Sequence, residues 1–247
     1  MAEGRVALLG VIAAWAAVTV PIAAHGEPRA VVELFTSQGC SSCPAADRLL
    51  GDLSEDPSVI ALSLPITLWD YLGWKDTLAS EGHTNRQRAY SRERGDGQVY
   101  TPQVVVDGTI QAIGSDRSAI EAAIERGRKQ PDVLSLPLLL SITNGEIKVS
   151  AQDHDLKTGR GEIWLCPLSK TVSVAIGRGE NHGRTVTYHN VVRRWLKLGE
   201  WTGAAGSWTV PLKDIETDEV DEVAVVVQAG TAKSPGSIIG AAMTSLH

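Results

Sequence analysis

The sequence predicts an α/β N-terminal domain over residues 28–130, followed by an all-β, sandwich-like C-terminal domain over residues 131–247. Three observations lead to that division. Strand-like apolar runs alternate with helix-period segments as far as Lys129, whereas beyond Pro131 short strand candidates succeed one another with turn residues between them. The length of 247 residues also exceeds the usual size of a single core, so two units of roughly 100–130 residues are expected.

Residues 30–35 (AVVELF) are apolar and β-branched, the mark of a buried strand, and lead through Thr36-Ser37-Gln38-Gly39 into Cys40. A helix over residues 41–53 follows, because Ala45, Ala46, Leu49, Leu50 and Leu53 recur at helical spacing, with Asp47 and Arg48 on the opposite side. Residues 58–64 (SVIALSL) form a second strand, stopped by Pro65. Residues 69–74 (WDYLGW) and the polar stretch 76–94 read as an insertion, with helix over 84–94. Two short apolar runs, 103–106 and 109–113, are separated by Asp107-Gly108, the strongest short-range hairpin signal. Gly114-Ser115-Asp116 then supplies a turn and an N-cap for a helix ending near Lys129, on which Ile120, Ala123, Ile124 and Gly127 share one face.

In the second half the strand candidates are residues 136–143, 146–150, 161–165, 171–175, 184–192, 207–212, 222–227 and 237–243. Asn144-Gly145 between the first two is a second hairpin signal. Residues 192–198 read equally well as a helical turn.

Composition narrows the function classes. With 43% hydrophobic and 21% charged residues and a net charge of -6, the chain lacks the signature of disorder and the basic footprint of a nucleic-acid binder. Near the start, Arg5 precedes an apolar run over residues 6–20, then Pro21 and the small residues Ala23, Ala24 and Gly26. That order reads as an export signal over residues 1–26, cleaved near Ala24, since the apolar run is shorter than the roughly 20 residues that span a bilayer. A periplasmic or secreted protein is expected, with no membrane contact beyond the signal.

Three cysteines cannot all pair within one chain, and two of them, Cys40 and Cys43, are three positions apart. A disulfide closing so small a ring gains little from loop entropy, so its value is chemical. The alternative of a zinc knuckle wants a second such pair or a pair of histidines, and no second CxxC exists. Soft thiolates also suit cuprous copper, with His83 as a third ligand, although His83 alone reads as a surface residue. No metal ligand set is assigned. Cys166, alternating with Trp164, reads as a buried small hydrophobe without a role.

Strand, Cys40-Ser41-Ser42-Cys43, helix, strand, insertion, Thr101-Pro102, hairpin, helix: in this order residues 30–129 resemble the thioredoxin and glutaredoxin superfamily. The resemblance makes the N-terminal domain thioredoxin-like and implies a cis Thr101–Pro102 bond beside the disulfide, with the main chain there receiving the partner. A thiolate at a helix N-terminus is favoured by the backbone amides, so Cys40 is the expected nucleophile and Cys43 the resolving thiol. Residues 108–124 resemble the glutaredoxin tail that holds glutathione, but Ser115 and Asp116 are explained as well by capping a helix.

A closer resemblance is to a family of secreted bacterial proteins known as a domain of unknown function. It is carried by residues 31–46 (VVELFTSQGCSSCPAA), 69–76 (WDYLGWKD), 100–105 (YTPQVV) and 177–192 (GRGENHGRTVTYHNVV). Relatives have a His after the second strand, where this chain reads Leu64-Pro65-Ile66.

Candidate substrate-binding residues are Thr101, Pro102, Trp69 and Asp70, with Tyr71 and Trp74 nearby in sequence. Aromatic side chains there either offer contact area to a peptide or pack the insertion onto the domain. Asp70 is a candidate proton acceptor for Cys43. Arg86, Arg88, Arg92 and Arg94 read as a solvated face. Arg178, Glu180, Asn181, His182, Arg184, Tyr188, His189 and Asn190 read as a hydrogen-bonded corner joining strands or domains, or else as a binding loop.

Together these predict an exported thiol-disulfide oxidoreductase-like protein needing no cofactor beyond the Cys40–Cys43 disulfide. Its expected partners are protein thiols or disulfides of the envelope, or a small thiol such as glutathione. Two alternatives share the same sequence: a non-catalytic envelope binding module and a copper metallochaperone.

Overall fold

Continuous apolar runs, rather than alternating ones, belong to strands covered on both faces, and the first two strands show what covers them. The structure is a computed structural model and describes residues 28–157 and 159–246. Strand β1 (Ala30–Thr36) is buried throughout and pairs in parallel with β2 (Val59–Pro65). Between them runs helix α1 (Cys43–Ser54), whose Ala46, Leu49, Leu50 and Leu53 pack on Val32, Leu34 and Ala61.

Residues Thr67–Leu72 form a 3-10 turn closed by Gly73 at φ 88°, a conformation open to glycine at little cost. Helix α2 (Glu81–Arg94) starts three residues before the expected position, because Ser80 Oγ caps it by accepting from His83 N. Strands β3 (Gln103–Val106) and β4 (Ile110–Ile113) make the expected hairpin, with Asp107 and Gly108 both at positive φ. Helix α3 (Arg117–Gly127) begins at Asp116, whose carboxylate accepts from Ala119 N. Asp116 therefore caps this helix as expected.

The second half adds β5 (Leu138–Thr143), β6 (Glu146–Ala151), β7 (Gly161–Ala175), β8 (Thr185–Val192), β9 (Leu196–Trp201), β10 (Gly206–Pro211), β11 (Glu222–Thr231) and β12 (Ser234–Ser245). The two candidates 161–165 and 171–175 are one 15-residue strand, β7, which continues through Pro167. The ambiguous stretch 192–198 turns into β9.

The expected fold class is overturned. The structure is mostly β, 42% strand against 21% helix, and not a clear α/β thioredoxin-like unit followed by a β sandwich. One mixed nine-stranded sheet runs in the order β12-β11-β7-β8-β2-β1-β3-β4, with β9 paired to β7, and a separate three-stranded sheet β10-β6-β5 packs on it through Ile147, Val149, Ile163 and Val225. The halves join where β8 lies parallel to β2 at Ser63 and Val191, reinforced by Asn190 Nδ2 donating to Ala61 O at 3.0 Å. The physical reason lies in β1 and β2. One face is covered by α1 and α3; the other, through Val31, Phe35, Ile60, Leu62 and Leu64, shares a core with Cys166, Leu168, Ala224 and Ile238 of the second half. Sequence periodicity identifies such strands as buried on both faces, but it does not say which distant segment does the burying.

A buried polar network crosses the same junction. Arg86 Nε donates to Glu33 Oε1 at 2.6 Å, its other nitrogen donates to Tyr90 Oη at 2.6 Å, and Tyr90 Oη donates to Glu33 Oε2 at 2.5 Å. Gln228 Nε2 on β11 donates to Tyr90 Oη at 2.9 Å. Arg86 is thus no member of a solvated face, while Arg94 pairs with Asp96 at the surface. The expected export segment, residues 1–26, lies outside the described residues. Among the described residues no helix is long and apolar enough to cross a membrane.

Candidate functional site

β1 delivers the chain to the site. After Thr36 the backbone tightens: Gly39 N donates to Ser37 Oγ and Cys40 N to Ser37 O, both at 3.1 Å, and Cys43 N donates to Cys40 O at 3.2 Å as α1 begins. Pro44 sits in the first turn, where a missing amide costs nothing. Cys40 and Cys43 form a disulfide across this turn. It is asymmetric: Cys43 is wholly buried, whereas Cys40 keeps 5% of its surface.

Thr101 O lies 3.7 Å from Cys40 Sγ and Ser42 Oγ 3.4 Å from it. The Thr101–Pro102 bond is cis, as the sequence resemblance implied. A cleft of ≈ 460 Å³ opens here, lined by Ser42, Tyr100, Thr101, Pro102, Ile113 and Ser115. Next to the lining residues Ile113 and Ser115, a Cβ at Gly114 would lie 2.9 Å from Pro102 Cβ and 2.7 Å from Leu34 Cδ1, so glycine lets the end of β4 approach so closely.

The 3-10 turn packs against both the cysteine turn and Thr101. Trp69 Nε1 donates to Thr101 Oγ1 at 2.7 Å, and Trp69 Cβ would stand 2.9 Å from a Cβ at Gly39. Trp69 therefore braces both the cysteine turn and the cis bond. Tyr71 beside it is 76% exposed. The Asp70 carboxylate accepts from Asp76 N at 3.1 Å. Asp76 itself is buried and accepts from Gln38 N at 2.7 Å and from Leu78 and Ala79 amides. Burial raises the Asp76 carboxyl above its ordinary value, and these amides oppose the rise. Trp74 Nε1 donates to Gln38 Oε1 at 2.8 Å, so the insertion is bonded to the turn before the cysteines at several points.

From the second half, residues 177–184 close over the turn. Asn181, nearly fully buried, donates through Nδ2 to Gln38 O at 2.9 Å and to Cys40 O at 2.8 Å, while Arg184 donates to its Oδ1 at 3.1 Å. Glu180 Oε2 accepts from Ser41 N at 3.2 Å. The corner expected here does join distant elements, and what it joins is the turn that carries Cys40 and Cys43. Asn181→Ala removes both donors from two carbonyls; we expect a loss of about 2 kcal/mol in urea unfolding, and an unchanged midpoint would show that water replaces them freely.

Three further titratable groups, Asp47, His83 and Cys166, are buried. Asp47, four residues beyond Cys43 on α1 and so on the same helix face, is 2% exposed. Its Oδ1 accepts from Thr36 Oγ1 at 2.7 Å and its Oδ2 has no partner among the described residues. Burial pushes its carboxyl up to about 8, with the Thr36 hydrogen bond opposing. The expected position, opposite the apolar face, is corrected: β8 covers that flank of α1, close enough that a Cβ at Gly51 would lie 2.7 Å from His189 Cδ2. His83, expected at the surface, is buried, bonds Pro65 O through Nδ1 at 3.0 Å and is drawn down to about 4 by burial. Cys166 is buried in the core, and burial raises its thiol far above the ordinary value. Among the described residues no group of three or more His, Cys, Asp or Glu side chains is placed to hold a metal ion.

The model of the family described as Protein of unknown function (DUF1223) matches residues 31–228. The chain belongs to this DUF1223 family. The matched span contains every residue of the site described above, including the 177–184 loop. A crystal structure of a protein from Agrobacterium tumefaciens is 28% identical, with a TM-score of 0.79 over 89% of this chain and 95% of that one. HBP35 of Porphyromonas gingivalis is 15% identical, with a TM-score of 0.59 over 89% of this chain and 76% of that one, a likeness of fold alone. No curated protein matches significantly.

Sequence reasoning placed Cys40, Cys43, Thr101, Pro102 and Trp69 in one neighbourhood and missed the parts of this DUF1223 site that come from afar. Asp76 sits inside the WDYLGWKD run, and Asn181 inside GRGENHGR, so both lay in quoted segments. Asp47 carried no such signal, because its burial depends on β8.

Proposed function

We propose that this DUF1223 protein exchanges disulfides with thiols or disulfides of other molecules through Cys40 and Cys43. One observation carries the reading: a disulfide at the start of a helix in which Cys40 keeps a little surface and touches Ser42 and Thr101 of an open cleft, while Cys43 is wholly buried. In the reduced state the Cys40 thiolate attacks a client disulfide, forming a Cys40–client bond and releasing one client thiolate. Cys43 then gives its proton to the ionised form of Asp47, the fraction present near its raised pKa of about 8, and attacks Cys40 Sγ, which reforms the internal disulfide and releases the second client thiolate. The client gains the two electrons that the cysteine pair loses. Run backwards, the same steps oxidise a client dithiol.

The nearby Asp47 supports this assignment, since an acceptor with a pKa near the operating pH transfers protons best. The exposed Ile113 and the ring of Tyr100 in the cleft suit a client with apolar side chains better than they suit a metal ion. The signal-like residues 1–26 support work in the cell envelope, where disulfides persist.

The test is a trap. Cys43→Ser leaves Cys40 without a resolving partner, so mixed disulfides with clients or with glutathione should accumulate and be identified by mass spectrometry. Cys40→Ser should accumulate none and should lose reduction of an insulin-like substrate. Equal adducts in both variants, or a wild-type disulfide inert to dithiothreitol, would end the proposal.

A further inference from the structure

The first turn of α1 holds no acidic residue, and Ser42 makes no side-chain cap. The backbone amides at this end therefore present a positive potential toward the Cys40 sulfur. Yet a carboxylate does meet them: Glu180, 139 positions away in sequence, accepts from Ser41 N at 3.2 Å. Ser41 N belongs to the peptide bond that leaves Cys40. Glu180 is aimed there by its neighbour, because the buried Asn181 is fixed to Gln38 O and Cys40 O and is held in turn by Arg184. The loop is seated by Asn181, and its charge is delivered by Glu180.

From this placement we infer that Glu180 is a positioning residue that sets the redox bias of the Cys40–Cys43 pair from the second half of the chain. Its carboxylate occupies an amide that would otherwise stabilise the Cys40 thiolate, and it adds a like charge one peptide unit from the sulfur. Both effects disfavour the thiolate. The dithiol state is the one that contains the thiolate, so disfavouring it favours the disulfide and makes the dithiol the stronger reductant. The other charges around the turn, Asp47, Asp70, Asp76 and Arg184, stay in place when Glu180 alone is changed. Because Glu180 is exposed, solvent screens its effect and a moderate shift is expected.

The inference rests on the exchange reading, but part of its test does not. In Cys43→Ser protein, ultraviolet titration of the Cys40 thiolate is compared with and without Glu180→Gln. Glutamine keeps an acceptor for Ser41 N and removes only the charge. The thiolate fraction below the midpoint should rise about threefold, and the rise should shrink in added salt. In the intact pair, the equilibrium disulfide + 2 glutathione ⇌ dithiol + glutathione disulfide should move toward dithiol in the same direction, measured above neutral pH where thiolate is populated. Glu180→Asp, which keeps the charge, should stay nearer wild type than Glu180→Gln does. An unchanged or lowered thiolate fraction in Glu180→Gln overturns the inference. A wild-type pair that never equilibrates with glutathione overturns the exchange reading instead, and the titration still decides the role of Glu180.

Discussion

Asp47→Asn should make the oxidised protein more stable at pH 8 while leaving it almost unchanged at pH 4. In the folded chain burial holds the Asp47 carboxyl up to about 8, whereas in the unfolded chain it titrates near its ordinary value of about 3.9. Between those limits the folded state keeps a proton that the unfolded state releases. Stability therefore falls as pH rises through this window, by about 1.4 kcal/mol per pH unit. The accumulated loss by pH 8 is on the order of 5 kcal/mol. Asparagine keeps an oxygen for Thr36 Oγ1 and never ionises, so it should remove this slope. Urea unfolding of both proteins at several pH values gives the difference directly; it cancels what Asp107 and His83 contribute to both, while the charge of Asp76, which raises Asp47, is part of the difference. Parallel pH profiles would show that Asp47 is ionised in the folded protein. If Asp47 also accepts the Cys43 proton, the stabilised variant should resolve mixed disulfides more slowly. A group that costs stability and lies in the core one helical turn from Cys43 is what a tuned proton acceptor looks like.

How far the sequence carries can be judged at this same residue. The helix period correctly placed Ala46, Leu49, Leu50 and Leu53 on the core face of α1 but put the exposed Ala45 there too, and the Asp107-Gly108 and Asn144-Gly145 pairs correctly placed two hairpins. Local signals of this kind are complete within a few residues. Asp47 was read as facing outward because periodicity reports one apolar stripe, not a second element packed on the helix flank. The fold class failed for the same reason on a larger scale. Val31, Ile60 and Leu62 announce strands buried on both faces, but the partners that bury them, Cys166, Leu168 and Ala224, are more than a hundred residues away. The site was legible to the extent that it is local. Cys40 and Cys43 share a turn, and Thr101-Pro102 was found through a resemblance in element order. Glu180 and Asn181 reach the turn through a parallel pairing of β8 with β2 that no short-range pattern encodes.

That long-range junction is also where the largest loss of stability is expected. Arg86→Met removes the cation from a carboxylate, Glu33, that has no solvent exposure. Burial alone would weaken the Arg86 charge, but Glu33 and Tyr90 outweigh it and hold the guanidinium protonated well beyond its ordinary range. The guanidinium also stacks 4.0 Å from the Trp195 ring centre, so the truncation leaves both a charge and a ring without their neighbour. Deleting one member of a buried pair costs about 3–5 kcal/mol, a large share of the roughly 5–15 kcal/mol that holds a protein folded. The variant should melt well below wild type. The reason would be the stranded carboxylate rather than lost packing, and a second substitution separates the two. Glu33→Gln combined with Arg86→Met removes the charge along with its partner and should recover much of the loss, because Tyr90 Oη can still bond the amide oxygen. A double variant as unstable as Arg86→Met alone would assign the cost to packing. Since Glu33 belongs to β1, Tyr90 to α2 and Gln228 to β11, this network pins the strand that delivers Cys40 to the half of the chain that delivers Glu180 and Asn181. Loosening it should therefore move the thiol equilibrium as well as the melting temperature.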